Sequence, residues 1–375
     1  MKKKKKKYTF RKFINDVHLW LGLISGIILF LVCLSGTILT FEEEIKAAFT
    51  EEITVAPDQE QTLPVAVLNE KVKDKGTLLS VSISPEKTTP YAFRIKTSEK
   101  DRRGTTFYVD QYTGKVYDQP TSSLDEFFWS MFRLHRWLLL DSSIGRPIVG
   151  IATLIFVVLS ISGIVLWFPK RLRWKNIKPG FKIKWSANWK RINHDLHNTL
   201  GFYACIFIVI MALTGLCWSF AWYRDAGSAV LGAKIFGGRG GGPKVESVAK
   251  PASEEKTFED IYRITGEELP FEGETTVSVP NGPKDTYAIT KYHTSGFTPV
   301  AADKLVIDRD GSILKKEIFA DKPLNVRIVS LIRPIHMGTV FGTFSKIIYF
   351  ITCLIATSLP ITGTIIWINK MKKKK

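Results

Sequence analysis

Four of the six histidines in this 375-residue chain recur in a pattern. The stretch "HDLHNTLGFYACIFIVIMALTGL" at 194–216 opens a long apolar run with two histidines and an aspartate, and "NDVHLWLGLISGIILFLVCLSGT" at 15–37 repeats it. Asp16, His18, Gly22 and Gly36 fall where Asp195, His197, Gly201 and Gly215 fall. Further along each half a second histidine precedes a second apolar run: His135 in "LHRWLLLDSSIGRP" and His336 in "IRPIHMGTVFGTF". An ionisable group that enters hydrocarbon costs on the order of 2.5–3.5 kcal/mol. A neutral imidazole offers one nitrogen lone pair to a metal without adding charge, so histidines matched two by two read as candidate metal ligands. Any one of them alone is equally an interfacial residue bonded to water or a headgroup. Recurrence at four related positions is what favours ligation of a metal cofactor.

The elements that would position these residues are four apolar runs, about 17–41, 147–168, 199–222 and 343–368, each near the roughly 20 residues that a membrane helix needs. The first is too long for a cleavable signal, has no small-residue cleavage site and ends in "FEEEI", so it reads as a retained anchor. Cys33, Cys205, Cys217 and Cys353 all lie inside apolar runs and read as small packing residues. Neither a disulfide framework nor a cysteine metal site is visible.

The net charge of +18 has a topological origin. The N-terminus "MKKKKKKYTFRK" carries 8 Lys and Arg, the segment 169–193 carries 9 and the tail "KMKKKK" carries 5, leaving 31 of the 53 bases against nearly all of the 35 acids elsewhere. By the positive-inside rule these three stretches face the cytoplasm and the segments 42–146 and 223–342 face outward. Charge that flanks membrane runs accounts for the excess, so no nucleic-acid partner is expected.

Each outward segment carries a helical piece followed by alternating strands. The first has "TLPVAVLNEKVKD", then "LLSVSIS", "YAFRIKT" and "TTFYVDQYTGKVYD"; the second has "TFEDIYRIT", then "TTVSVP", "TYAITKY" and "DKLVIDRDGSILKKEIF". The glycine-rich "GAKIFGGRGGGPK" reads as a linker. Helix, outward domain, helix therefore occurs twice, and two copies with two spans each enter the membrane in the same direction, a parallel repeat.

The ordered set "VHLWLGLISGIILFLVCLSGTIL", "FYVDQYTGKVYD", "LHRWLLL", "SGIVLWFPKR", "HDLHNTLGFYACIFIVIMALTG" and "TGTIIWINK" resembles the PepSY-associated transmembrane family of bacterial inner membranes, over nearly the whole chain. That family includes iron-regulated membrane proteins and haem-containing ferrisiderophore reductases. The resemblance implies a membrane α-helical bundle of four transmembrane helices in two parallel repeats, with two periplasmic α+β PepSY-like domains. The expected boundaries are a basic N-terminus 1–12, first span 13–41, first domain 42–130, second span with its preceding interfacial helix 131–168, and basic loop 169–193. A third span 194–222, second domain 223–330, fourth span 331–369 and basic tail 370–375 follow.

It further implies two b-type haems, electrons moving to a periplasmic ferric chelate such as a ferrisiderophore, and no catalytic acid or base. His18 with His197 would hold one iron at the cytoplasmic side, and His135 with His336 the other at the outer side. Gly22 and Gly201, one turn from their histidines on the same helix face, would leave room for a flat macrocycle. His194 matches Asn15 and is expected behind the ligand or at a propionate. Asp16 and Asp195 either orient an imidazole or cap a helix start. Arg136 and Arg333 either meet propionates or an anionic chelate, or snorkel. His293 has no counterpart and is expected at the surface.

No nucleotide-binding loop or hydrolase motif is present, so the electron donor would be quinol or a cytoplasmic reductase. The competing reading is a membrane-anchored protein whose PepSY-like domains bind a peptide or a peptidase, with structural histidines. Haem content separates the two.

Overall fold

The computed structural model describes residues 8–57, 61–101, 103–237, 245–249, 255–294, 298 and 300–372. The basic residues 1–7 and 373–375 and the linker residues 238–244 lie outside that set. The chain divides into two compact units, one of residues 1–45, 124–235 and 331–375, the other of residues 46–123 and 236–330.

The first unit holds four helices long and apolar enough to cross a membrane: Phe10–Leu39, Ser142–Trp167, Trp189–Ser219 and Gly342–Lys372, the first to fourth spans. Their starts are built by local chemistry. Thr9 caps the first by accepting from Lys12 N, Asp141 caps the second by accepting from Ser143 N, and Asn188 caps the third by accepting from Arg191 N. Many hydroxyls within the spans bond carbonyls of their own helices, as Ser25 does with Leu21 and Thr364 with Pro360, which satisfies them without a partner outside the helix.

Leu29 of the first span packs with Ala152 and Leu159 of the second, and Ala204 and Ile208 of the third pack with Ala356 of the fourth. The alanines allow close helix approach. All four cysteines are free thiols within this packing.

Two short helices, Asp125–Trp137 and Ile332–Met337, precede the second and fourth spans. The first of them lies with the membrane unit, so that unit begins at 124, several residues before the expected domain edge at 130. Likewise Ala221–Leu231 continues the membrane unit beyond 223, and the third span starts at Trp189, inside the expected loop.

The second unit carries β1 (Thr77–Ile83), β2 (Tyr91–Lys96), β3 (Thr105–Val109), β4 (Val116–Asp118), β5 (Thr275–Ser278), β6 (Tyr287–Tyr292), β7 (Ala302–Ile307) and β8 (Ile313–Glu317). Helix Val65–Glu70 lays Val65 and Leu68 on Val81, Phe93, Ile95 and Val109, and helix Phe258–Glu268 lays Ile261 on Val277, Ile289, Leu305 and Ile307. The two halves were expected as separate domains. Instead they form one antiparallel sheet in the order β4-β3-β2-β1-β5-β6-β7-β8. The first strand of each half has a free edge, and β1 and β5 satisfy one another in the register Ser80↔Ser278 to Ile83↔Thr275.

A candidate cofactor site built from two histidine pairs

His18 of the first span and His197 of the third come together with ring centres 6.3 Å apart and planes at 88°. His135 and His336, on the two short helices, also lie 6.3 Å apart, with planes at 55°. Two imidazoles opposed across a metal through Nε2 have centres about 6.2 Å apart, twice the sum of a roughly 2.0 Å metal–nitrogen bond and the roughly 1.1 Å from nitrogen to ring centre. Both pairs match that separation.

The other ring nitrogen is committed in every case. His135 Nδ1 donates to Val32 O at 2.9 Å, and His336 Nδ1 donates to Met211 O at 2.9 Å. A carbonyl only accepts, so both rings carry the proton on Nδ1. His18 Nδ1 lies 2.9 Å from Ser162 Oγ, and His197 Nδ1 lies 2.9 Å from Thr362 Oγ1. Those hydroxyls already donate to Leu159 O and Ser358 O, so they too act as acceptors for the rings. The arrangement leaves each Nε2 as the nitrogen with a lone pair to give. Burial holds the His135–His336 pair neutral, pushing His336 down to about 4 and His135 down as well.

The sequence carries a further signal: each span contains a hydroxyl residue followed by glycine that receives one histidine, at Ser35-Gly36, Ser162-Gly163, Thr214-Gly215 and Thr362-Gly363, whereas Ser25-Gly26 of the first span faces Pro360. A Cβ on Gly36 would meet His135 at 3.1 Å, on Gly215 His336 at 2.9 Å, on Gly163 His18 at 3.4 Å and on Gly363 His197 at 3.2 Å. The neighbouring Ser35, Thr214, Ser162 and Thr362 contact the same four rings at Nδ1. Glycine lets the imidazole lie against the neighbouring backbone. Ser162-Gly163 and Thr362-Gly363 are recognisable as partners only once the spans are packed.

Around His18 and His197 opens a cavity of about 710 Å³ that Gly22 and Gly201 line, with cationic Lys12, Lys170, Arg191 and Lys370 among the lining residues. Its volume falls in the range of cofactor sites. Arg11 also lines it, although its guanidinium is held by the carbonyls of Leu166 and Phe168 at the end of the second span.

The remaining candidates have other partners. His194 lines the cavity but bonds Asn198 rather than His197. The helix starts are capped by Thr9 and Asn188, and neither aspartate touches a ligand-type histidine. Asp16 accepts from Tyr8 OH at 3.0 Å, and Asp195 accepts from Arg191 Nε at 2.7 Å and Lys184 N at 3.2 Å, tying down the basic segment. The capping and imidazole-orienting roles both give way, because each acid sits well inside its helix with a nearer donor. Arg136 stacks 5.4 Å from the ring centres of Phe132 and Trp137, and Arg333 Nε lies 3.5 Å from Met337 Sδ. His293 is half-buried, stacked 4.0 Å from the Phe271 ring with Nε2 3.2 Å from Asp303. That corrects the surface expectation: an aromatic face and a buried acid, invisible to local sequence, draw it in.

Four helices long and apolar enough to span, together with two imidazole pairs in the same unit, describe a membrane protein with a candidate site in its helical unit. The chain belongs to the PepSY-associated TM region family, whose model matches residues 16–370. No curated protein matches it.

Proposed function

We propose that this chain is a dihaem reductase of the bacterial inner membrane, passing electrons to a periplasmic ferric chelate of the ferrisiderophore type. The observation that carries this reading is the pair of imidazole pairs, both at 6.3 Å and with Nδ1 engaged in each ring. Among the described residues no cluster of three or more His, Cys, Asp or Glu is placed to hold an ion. Two imidazoles alone leave a tetrahedral metal short of ligands. They are complete for an iron whose four equatorial ligands come with a macrocycle.

Haem b at each pair would supply reversible one-electron transfer. The chain's own contribution is to hold the four Nδ1 protons on Val32, Met211, Ser162 and Thr362 and to present cations at the cavity. The basic flanks support a cytoplasmic location for both termini and for the His18–His197 pair, with quinol or a cytoplasmic reductase as donor and the sheet unit in the periplasm. Oxygen-ligand chelators prefer the harder Fe(III), so reduction releases the metal.

The test is the visible spectrum of detergent-purified protein, oxidised and then reduced. About two low-spin bis-histidine haems per chain are expected; a colourless preparation from a haem-sufficient host sinks the reading. A C-terminal reporter exposed outside the cytoplasm would overturn the topology.

A further inference from the structure

The two halves treat one matched cation differently. Lys346 stands seventeen residues before Gly363 in the fourth span, and its Nζ is held by both carboxylate oxygens of Glu44, at 2.6 and 2.8 Å. Arg146 stands seventeen residues before Gly163 in the second span, the same place in its own half. Glu44 lies eight residues past Gly36, and the residue eight past Gly215 is Tyr223. The carboxylate that answers Lys346 therefore has no counterpart for Arg146. Among the described residues Arg146 pairs with no acid, and its Nε is buried without an acceptor.

The same end of the bundle holds a second such donor. Trp137 Nε1 is likewise buried and unpaired, and together these are the two buried N–H donors left without acceptors in the membrane unit, among the described residues. Trp137 ends the helix that carries His135, two residues away, and its main chain packs directly on Gly145, the neighbour of Arg146. A buried donor is costly to leave unbonded, and a guanidinium more so. An arginine guanidinium and an indole N–H at one helix joint are the donor types from which a planar oxyanion accepts.

We infer that Arg146 and Trp137 bind a carboxylate that the chain does not supply, a propionate-type arm of the cofactor held by His135 and His336. The inference rests on the dihaem reading, and it replaces Arg136, which stacks on aromatic rings, as the anchoring cation at this site.

The test uses the full-length protein carrying His18→Ala, so that binding reports the His135–His336 site, titrated with haem b and separately with its dimethyl ester. Haem b should bind on the order of 10- to 100-fold more tightly than the ester. Arg146→Gln should remove that advantage while leaving affinity for the ester unchanged, Arg146→Lys should keep part of it, and Trp137→Phe should weaken haem b alone. Equal affinity for acid and ester, or an Arg146→Gln loss shared equally by both, overturns the carboxylate assignment and leaves the dihaem reading intact. Binding of neither form sinks the dihaem reading and this assignment with it.

Discussion

His18 and His197 lie within spanning helices and rest on side-chain hydroxyls, Ser162 and Thr362, beside an open cavity. His135 and His336 lie on short helices outside the spans and rest on the main-chain carbonyls of Val32 and Met211. The ring separation is the same in both pairs, and every ring has a hydroxyl and a main-chain carbonyl beside it; what differs is the nearest partner, a hydroxyl at 2.9 Å for His18 and His197 and a carbonyl at 2.9 Å for His135 and His336. A hydroxyl can be removed by one substitution; a carbonyl of a packed helix cannot. The first site is therefore the more tunable through its side chains, and the second is tied more closely to the packing of its helices.

The largest effect that separates the sites comes from the histidines themselves. Replacing either His18 or His197 by alanine should remove one haem and spare the other, and either of His135 and His336 should remove the complementary one, as read by pyridine haemochrome stoichiometry. Loss of the same haem from His18→Ala and His135→Ala would abolish the two-site comparison.

Next come the glycines. Gly215→Ala places a methyl 2.9 Å from the His336 ring and should deplete the second site, whereas Gly163→Ala makes ordinary contact with His18 at 3.4 Å and should retain the first. Equal depletion by both would mean that ring clearance does not limit either site.

The hydroxyl contrast is smaller and more specific. Thr362→Val or Ser162→Ala should weaken haem binding at the first site by roughly 10- to 100-fold. Ser35→Ala and Thr214→Val should leave the second site nearly unchanged, because Val32 O and Met211 O still accept from the rings. A comparable loss at both sites would mean that hydroxyls hold the rings equally in the two pairs.

The two short helices end in matched turns of different composition. Leu138 adopts φ 56° where Gly338 adopts φ 73°. A side chain in this left-handed region costs about 1 kcal/mol, so Leu138→Gly should be neutral or slightly stabilising in thermal unfolding. Gly338→Ala should destabilise, since its methyl also runs into Tyr349. Smallest of all, His194→Ala should keep both haems, its ring being exposed and bonded to Asn198.

Much of this was legible locally. Four spans follow from hydropathy over some twenty residues, and the eight strands follow from alternation between turn residues such as Gly114 and Gly311, both left-handed in the structure. Spacing alone singled out the four histidines that the structure brings together in twos. The roles given to Asp16, Asp195 and His293 were not legible, because Tyr8, Arg191 and the Phe271 face outcompete the partners that linear neighbourhood suggests.

By itself the sequence determined what periodicity and composition encode: which segments are apolar enough to span, which residues recur, and where charge accumulates. Tertiary structure alone decided which hydroxyl and which glycine each histidine meets, since His18 and Ser162 stand 144 residues apart and His197 and Thr362 stand 165 apart. It also decided that two half-sheets close into one and that Lys346 finds Glu44 while Arg146 finds no acid among the described residues. Such pairings depend on which faces two helices or strands turn to one another, and that geometry is set by packing across the whole unit rather than by any stretch of chain.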